Sequence, residues 1–301
     1  MPDRPVGVLV MAYGTPASPD DVEAYYTDIR RGRPPTPELL ADLERRYDAI
    51  GGISPLAERT RAQAWGIGSC LGEGFVVALG QKHAAPFIED GVATLLAADA
   101  EQVVGLVLAP HFSALSVGQY HQRAAAAASG GAAYTGVERW HLHPDLIELL
   151  SERVMRALIG LPPGSATETL FTAHSLPERA LSLDDPSYPD QLHQTAEAVA
   201  ARDGLKRWRV AWQSAGRTAD PWIGPDILEV IRRLPDDGVE SVVICPAGFV
   251  SDHLEVLYDI DIEARGVAEA TGLRLSRTSS LNDDPRFMAM LADVVRAAVP
   301  S

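Results

Sequence analysis

Six short apolar runs, rich in β-branched residues, set the limits on the fold. They are "VGVLVMA" (6–12), "FVVALG" (75–80), "VVGLVLA" (103–109), "TLFTAH" (169–174), "WRVAWQ" (208–213) and "SVVICPA" (241–247). Each is nearly continuous in hydrophobicity, the pattern of a strand covered on both faces. Stretches of helical period lie between them, at 37–50, 86–99, 143–159 and 190–203. That alternation predicts an α/β chain with parallel sheets.

The two halves also read as copies. Ala12-Tyr13-Gly14-Thr15-Pro16 after the first strand matches Ala173-His174-Ser175-Leu176-Pro177 in the second half. "GQKHAAPFIED" (80–90) matches "WQSAGRTADPWIGPD" (212–226), and "APHFS" (109–113) matches "PAGFVS" (246–251). Three matches in one order predict two similar doubly wound domains, at 1–140 and 141–283, joined near 128–136. A last helix, about 284–299, is expected to pack back on the first domain. Ligands of open parallel sheets sit beyond the carboxyl ends of the strands. Tyr13, His174, the turn 213–217 and the acidic stretch after 248 all follow strands directly. Two such sheets facing each other would enclose a cleft.

Composition removes several function classes. Lys plus Arg is 26 against 41 Asp plus Glu, a net charge of −15, which repels a phosphate backbone and argues against a nucleic-acid partner. Two cysteines, Cys70 and Cys245, cannot form a Cys₄ zinc site or a cysteine-ligated iron–sulfur cluster. Cys245 closes an apolar run and reads as a buried thiol. The N-terminal apolar run is too short for a signal sequence, and no segment reaches 18 apolar residues. A cytoplasmic protein without membrane insertion is expected.

"GFVSDHLEVLYDIDIEAR" (248–265) is the densest chemical signal, with five carboxylates between Asp252 and Glu263. On an α-helix Asp252, Glu255, Asp259 and Glu263 would share an arc of roughly 80°. Carboxylates near a helix N-terminus are favourable, so a solvated face is one interpretation. Like charges at i,i+4 are unfavourable by about 0.2–0.5 kcal/mol per pair, and a hard divalent cation would remove that repulsion. Both interpretations stand on the residues alone. His174, at a strand end, can take a proton or bind a metal, or serve as a hydrogen-bonded core residue. His83, His111 and His253 read as structural. Arg30, Arg31, Arg33, Arg45 and Arg46 form a basic region suited either to an anionic ligand or to ordinary surface pairing. No phosphate-binding loop, dinucleotide fingerprint or G-x-S-x-G is present.

Taken together, "VLVMAYGTP", "YYTDIRRGRPP", "RYDAIGGISPL", "LAPHFSALSVGQY", "TAHSLPE", "WQSAGRTADPWIGPD" and "GFVSDHLEVLYDID" resemble the ferrochelatases, in order from about residue 6 to 265. The nearest type is the soluble bacterial coproporphyrin III ferrochelatase. The resemblance implies two Rossmann-like domains around a porphyrin cleft. It implies His174 and Glu255 as the catalytic pair, and Asp259 and Glu263 as a carboxylate ladder able to hold a second divalent cation. It implies Tyr13 as an axial ligand on the other face, and Arg30, Arg46, Tyr47, Ser54 and Tyr120 as residues that hold propionates or line the cleft. The metal-binding set is then His174, Glu255, Asp259, Glu263 and Tyr13.

Fe²⁺ and coproporphyrin III would be the substrates, with no permanent cofactor and no iron–sulfur cluster. A monomer with transient contact to the next haem-pathway enzyme is implied. Insertion releases two pyrrole protons. His174 is favoured as base and Glu255 as metal carrier, though residues alone do not separate the two. Protoporphyrin IX as substrate, cobalt insertion into sirohydrochlorin, and a non-catalytic tetrapyrrole carrier are the alternatives.

Overall fold

A computed structural model describes residues 4–181, 184–216 and 218–300. Two four-stranded sheets, every strand parallel, organise the chain. In the first, β1 (Val6–Ala12) lies between β2 (Phe75–Gln81) and β3 (Gln102–Val107), with β4 (Ala133–Val137) outside β3. In the second, β5 (Thr167–His174) lies between β6 (Trp208–Gln213) and β7 (Ser241–Cys245), with β8 (Arg274–Arg277) outside β7. Both sheets therefore have the order 2-1-3-4. The two-copy pattern of the sequence is a shared topology.

Successive side chains of a strand point to opposite faces, and the central strands use both. Val6, Val8 and Val10 of β1 join Phe171 and Ala173 of β5 in one core that runs through both sheets. Leu9 and Met11 turn to the other face of the first sheet, against Ile88, Val92 and Leu95 of α4 (Ile88–Ala97) and against α5 (Val117–Ala128). Leu170 turns to the outer core of the second sheet, with Ile227 and Ile231 of α8 (Ile227–Arg233). Burial on both faces explains why these strands read as unbroken apolar runs. Cys245 is fully buried in β7.

Three further helices close the shared core: α3 (Leu56–Leu71), α6 (Pro144–Ile159) and α10 (Pro285–Ala298). The segment entering α10 ties α3 to α6. Gln63 of α3 donates to the Asn282 carbonyl at 2.8 Å, and buried Arg153 of α6 pairs with Asp284 at 2.8 Å. Between β1 and α3 run α1 (Val22–Ile29) and α2 (Pro37–Ala49), and α7 (Tyr188–Asp203) follows β5. Among the described residues no helix is long and apolar enough to cross a membrane.

Two expectations need correction. The segment 128–136, read as a domain joint, contains β4, which pairs with β3 from Gln102↔Ala133 to Leu106↔Val137. As an edge strand it is half-exposed and carries no apolar run. We propose the domain boundary in the following segment, 138–143. The acidic stretch is not one α-helix. Asp252 precedes the helix, and after a single α turn the chain widens into a π-helix at Val256–Ala264, continuing as α9 (Arg265–Ala270). Single π turns inside helices concentrate at functional sites.

Candidate active site

The carboxyl ends of the two central strands deliver Tyr13, just past β1, and His174, the last residue of β5. The His174 Nδ1–H donates to the carbonyl of Ser175. That contact fixes the tautomer, because a carbonyl cannot donate. Nε2 is therefore the titrating nitrogen, and it lies 3.5 Å from Glu255 Oε1. Glu255 sits at the start of the π-helix, and its second oxygen lies 3.5 Å from His253 Nε2. His253 is held the same way, its Nδ1 2.9 Å from the carbonyl of Ser251. One carboxylate thus stands between two imidazoles, each anchored by a main-chain carbonyl.

The backbone of Glu255 is also fixed. Gln213, at the end of β6, donates through Nε2 to the Glu255 carbonyl at 3.1 Å and accepts from Thr172 Oγ1 at 2.8 Å. Both side chains are fully buried. Thr172 lies two residues before His174 on β5, so this relay sets the helix start against the strand carrying the imidazole. Gly248 permits the approach, since a Cβ there would meet the Ala173 Cα at 2.9 Å.

Charge follows geometry. Burial pushes the Glu255 carboxyl up, but His174 and His253 outweigh it and hold it well below the usual range. Burial pulls His174 down, but the Glu255 charge and contact, with the Ser175 carbonyl and Asp259, raise it to about 9. Asp259, four residues on, accepts from Ser214 Oγ. Burial first, then the charge of Glu255, push it up to about 7 against the pull of Ser214 and Arg46, and Glu263 pushes it further. Ser214 adopts a left-handed φ of 59°, unusual for a residue with a Cβ, to point its hydroxyl at Asp259.

The first domain forms the facing wall. Tyr13 is 42% exposed, yet burial, and next the Glu255 charge, raise its phenol. Its ring lies 4.6 Å from that of His83, which contacts Asp28 at 2.6 Å. Arg46 of α2 crosses to the second domain, 3.6 Å from Asp259 and 4.9 Å over the ring of Tyr258. Tyr47 is buried, 3.3 Å from Thr15 Oγ1, and also feels Glu255.

His174, Glu255, Asp259, Tyr13 and Arg46 therefore converge. Glu263 is half-buried beyond Asp259 on the same helix. Ser54 is buried and accepts from the Leu56 amide at 3.3 Å, and Tyr120 is buried under the Lys82 ammonium, 5.0 Å from the ring centre. Arg30 lies over Tyr26 at 5.7 Å and donates to the Arg33 carbonyl at 3.3 Å. Asp252 leaves the stripe altogether, bound by Arg277, Ser280 and Asn282. Asp261 pairs with Arg277 through both oxygens. Arg217, at the end of the 213–217 turn, lies outside the described residues. No group of three or more His, Cys, Asp or Glu is arranged to cage a metal among the described residues. The edge is an open row of oxygen and nitrogen donors.

Comparison with known proteins shows the family. The ferrochelatase family model matches residues 5–299. The chain belongs to the ferrochelatase family. It is similar to coproporphyrin III ferrochelatase of Bacillus subtilis (strain 168), at 44% identity over 98% of this chain and 98% of the relative. It is similar to that of Anoxybacillus flavithermus at 45%, covering 98% and 96%, and to that of Listeria monocytogenes at 41%, covering 97% of each. Among solved structures it resembles SirB of Bacillus subtilis with Fe³⁺, at a TM-score of 0.62 and 13% identity over 98% of this chain and 95% of that one. CbiX, a terminal enzyme of sirohaem biosynthesis in denitrifying bacteria, aligns with a TM-score of 0.57 and 16% identity, over 98% and 100%. At that identity the two structures speak to fold alone.

Beside the residues expected at the site stands His253, which the sequence presented as structural. The H-x-E spacing of His253 and Glu255 was its signal, and it contacts Glu255 rather than only the core. Gln213 and Ser214 were visible as post-strand polar residues, but their partners lie 42 and 45 positions away.

Proposed function

We propose that this member of the ferrochelatase family inserts Fe²⁺ into coproporphyrin III in haem synthesis, with release of two protons. The observation that carries the proposal is the His174–Glu255 pair at 3.5 Å, near enough to Tyr13 of the first domain for the Glu255 charge to act on its phenol. A flat macrocycle filling the cleft would have a carboxylate and an imidazole on one face and a phenol on the other.

The residues divide the work by their chemistry. Ionised Glu255 offers oxygen to Fe²⁺ as the ion loses its water, and Asp259 and Glu263 extend that oxygen edge and can hold a second divalent cation. His174 Nε2, its other nitrogen locked on Ser175, accepts pyrrole protons when unprotonated. Tyr13 supplies an axial oxygen from the far wall. Arg30 and Arg46 offer guanidinium forks to propionates, with Tyr47, Ser54 and Tyr120 lining the wall behind them. Four propionates suit this basic region better than two, and the relatives named above for coproporphyrin III support the same choice. We place the reaction in the cytoplasm, carried out by a monomer that hands its product to the next enzyme by transient contact.

Anaerobic metallation of coproporphyrin III and protoporphyrin IX, followed by absorbance, tests the proposal. Coproporphyrin III should be the better substrate, and Glu255→Gln should bind it without metallating it. A large advantage for protoporphyrin IX would overturn the substrate. Turnover with cobalt and sirohydrochlorin but not Fe²⁺ would overturn the reaction. No turnover by the unaltered protein would leave a tetrapyrrole carrier.

A further inference from the structure

Arg46 is held by two carboxylates from two domains. Its Nε lies 3.2 Å from Asp42 Oδ2, one turn back on α2, and its Nη1 lies 3.6 Å from Asp259 Oδ1 on the π-helix. The Tyr258 ring, 4.9 Å away, backs the guanidinium. The Asp259 side chain is 9% exposed and the Arg46 side chain 26%. Two groups assigned to different substrates thus occupy each other. A guanidinium this close to Asp259 repels any cation approaching the same carboxylate, and the effect is strengthened where water is largely excluded. The same contact keeps Arg46 from a substrate carboxylate.

The contact is also built to break. At 3.6 Å it is longer than a charge-assisted hydrogen bond, which lies near 2.7–2.9 Å in general. Asp42 lies on α2 as well, so its 3.2 Å ion pair with Nε can persist while Nη1 swings away and the helix stays in place. Asp259 would keep the Ser214 hydroxyl, so its oxygens stay aimed.

We propose that Arg46 couples the two substrate sites: a porphyrin carboxylate takes the guanidinium, frees Asp259, and thereby raises the affinity of the carboxylate edge for a divalent cation. This rests on the proposed function, in which porphyrin carboxylates and metal meet in this cleft. Because binding linkage is reciprocal, a cation at Asp259 equally frees Arg46 for the porphyrin. Porphyrin-first binding is then favoured, and cations are held weakly until a ring is present to receive one.

The test is Mn²⁺ binding to the full chain, read by loss of the free-ion EPR signal, with and without coproporphyrin III. Absorbance checks that the ring stays free-base. In the unaltered protein the porphyrin should tighten Mn²⁺ binding about fivefold or more, within the usual range of site coupling. In Arg46→Ala and Arg46→Gln, Mn²⁺ should bind tightly without porphyrin, and porphyrin should change that by less than about twofold. Asp259→Asn added to either variant should abolish the gain. Equal tightening by porphyrin in the unaltered protein and the variants would overturn the coupling. So would porphyrin-free variants that bind Mn²⁺ no better than the unaltered protein, and that arm needs no porphyrin binding at all. Failure of the unaltered protein to bind or metallate coproporphyrin III would instead count against the proposed function.

Discussion

Replacing Glu255 by Gln removes one negative charge and little volume, which isolates what that charge does to His174. In the unaltered protein burial pulls the imidazole down. The Glu255 charge and contact overcome it, the Ser175 carbonyl and Asp259 add to them, and the group reaches about 9. Gln removes the two largest raising influences together. What remains is burial against the Ser175 carbonyl and Asp259, so the imidazole should fall from about 9 towards its ordinary 6.5. The side chain is 35% exposed to the cleft, so water screens part of the interaction and a fall of about 1 is the floor. An NMR titration of the imidazole, assigned with His174→Asn, measures this directly. Stability should follow. His174 is raised, so its contribution is complete below 6.5 and lost as pH rises through about 9, whereas Glu255 is depressed, so its contribution is complete above 4.5 and lost in acid. The thermal deficit of Glu255→Gln should be largest between those ordinary values, near pH 5–6, and shrink by pH 9.5. Titration of His174 near 9 in the Gln variant would refute the account.

Asp259 predicts the opposite sign. Its carboxyl is raised from 3.8 to about 7, so ionising it in the folded protein is unfavourable. Asp259→Asn should gain stability over the unaltered protein increasingly from pH 4 to pH 7 and level off above, by up to about 4 kcal/mol; a uniform gain at every pH would contradict this. Gln213→Ala strips the Glu255 carbonyl and Thr172 of their shared partner. It should destabilise the fold by about 1–3 kcal/mol in urea titrations and lower metallation while porphyrin still binds. Asp284→Ala leaves Arg153, a buried cation, without its 2.8 Å carboxylate, and should lower stability by about 2–3 kcal/mol while changing metallation little. Gly248→Ala forces a Cβ against Ala173 beside His174, which should lower stability by about 1–3 kcal/mol and reduce turnover together.

What could be read in advance follows the physics of burial. The six strands read in advance were legible because their runs are mostly apolar, as the central strands β1 and β5, covered on both faces, require. β4 and β8 escaped notice because they are short edge strands whose residues are half-exposed, so neither an apolar run nor a clean alternation marks them. The approach of His174 to Glu255 was expected from the family resemblance and from the place of His174 at a strand end, and the two lie 3.5 Å apart. The π-helix was not legible, because spacing by three and four fits an α-helix equally well. Asp252 and Asp261 illustrate a second limit. Asp252 looked like a member of the acidic edge and Asp261 did not, yet Arg277, far from both in sequence, claims the two of them. Arg46 illustrates it again, since a cation expected for a ligand reaches a carboxylate 213 positions away.

The shared strand order explains why the site has the form it does. Tyr13 and His174 occupy the same place in the two copies, at the carboxyl end of the central strand. A phenol and an imidazole therefore stand at equivalent strand ends, and both feel the charge of Glu255. The loops after the second strands also return alike, with the Gln81 amide donating to the Pro86 carbonyl at 2.7 Å and the Trp212 amide to that of Pro225 at 2.9 Å. The glutamines at the ends of those strands then part ways. Gln81 spends its side chain on the Ala85 carbonyl within its own loop, whereas Gln213 reaches out to hold the backbone of Glu255. A duplicated scaffold thus supplies two equivalent walls. The one whose glutamine turns outward gains a fixed anionic helix, and the other keeps a phenol and a guanidinium to face it.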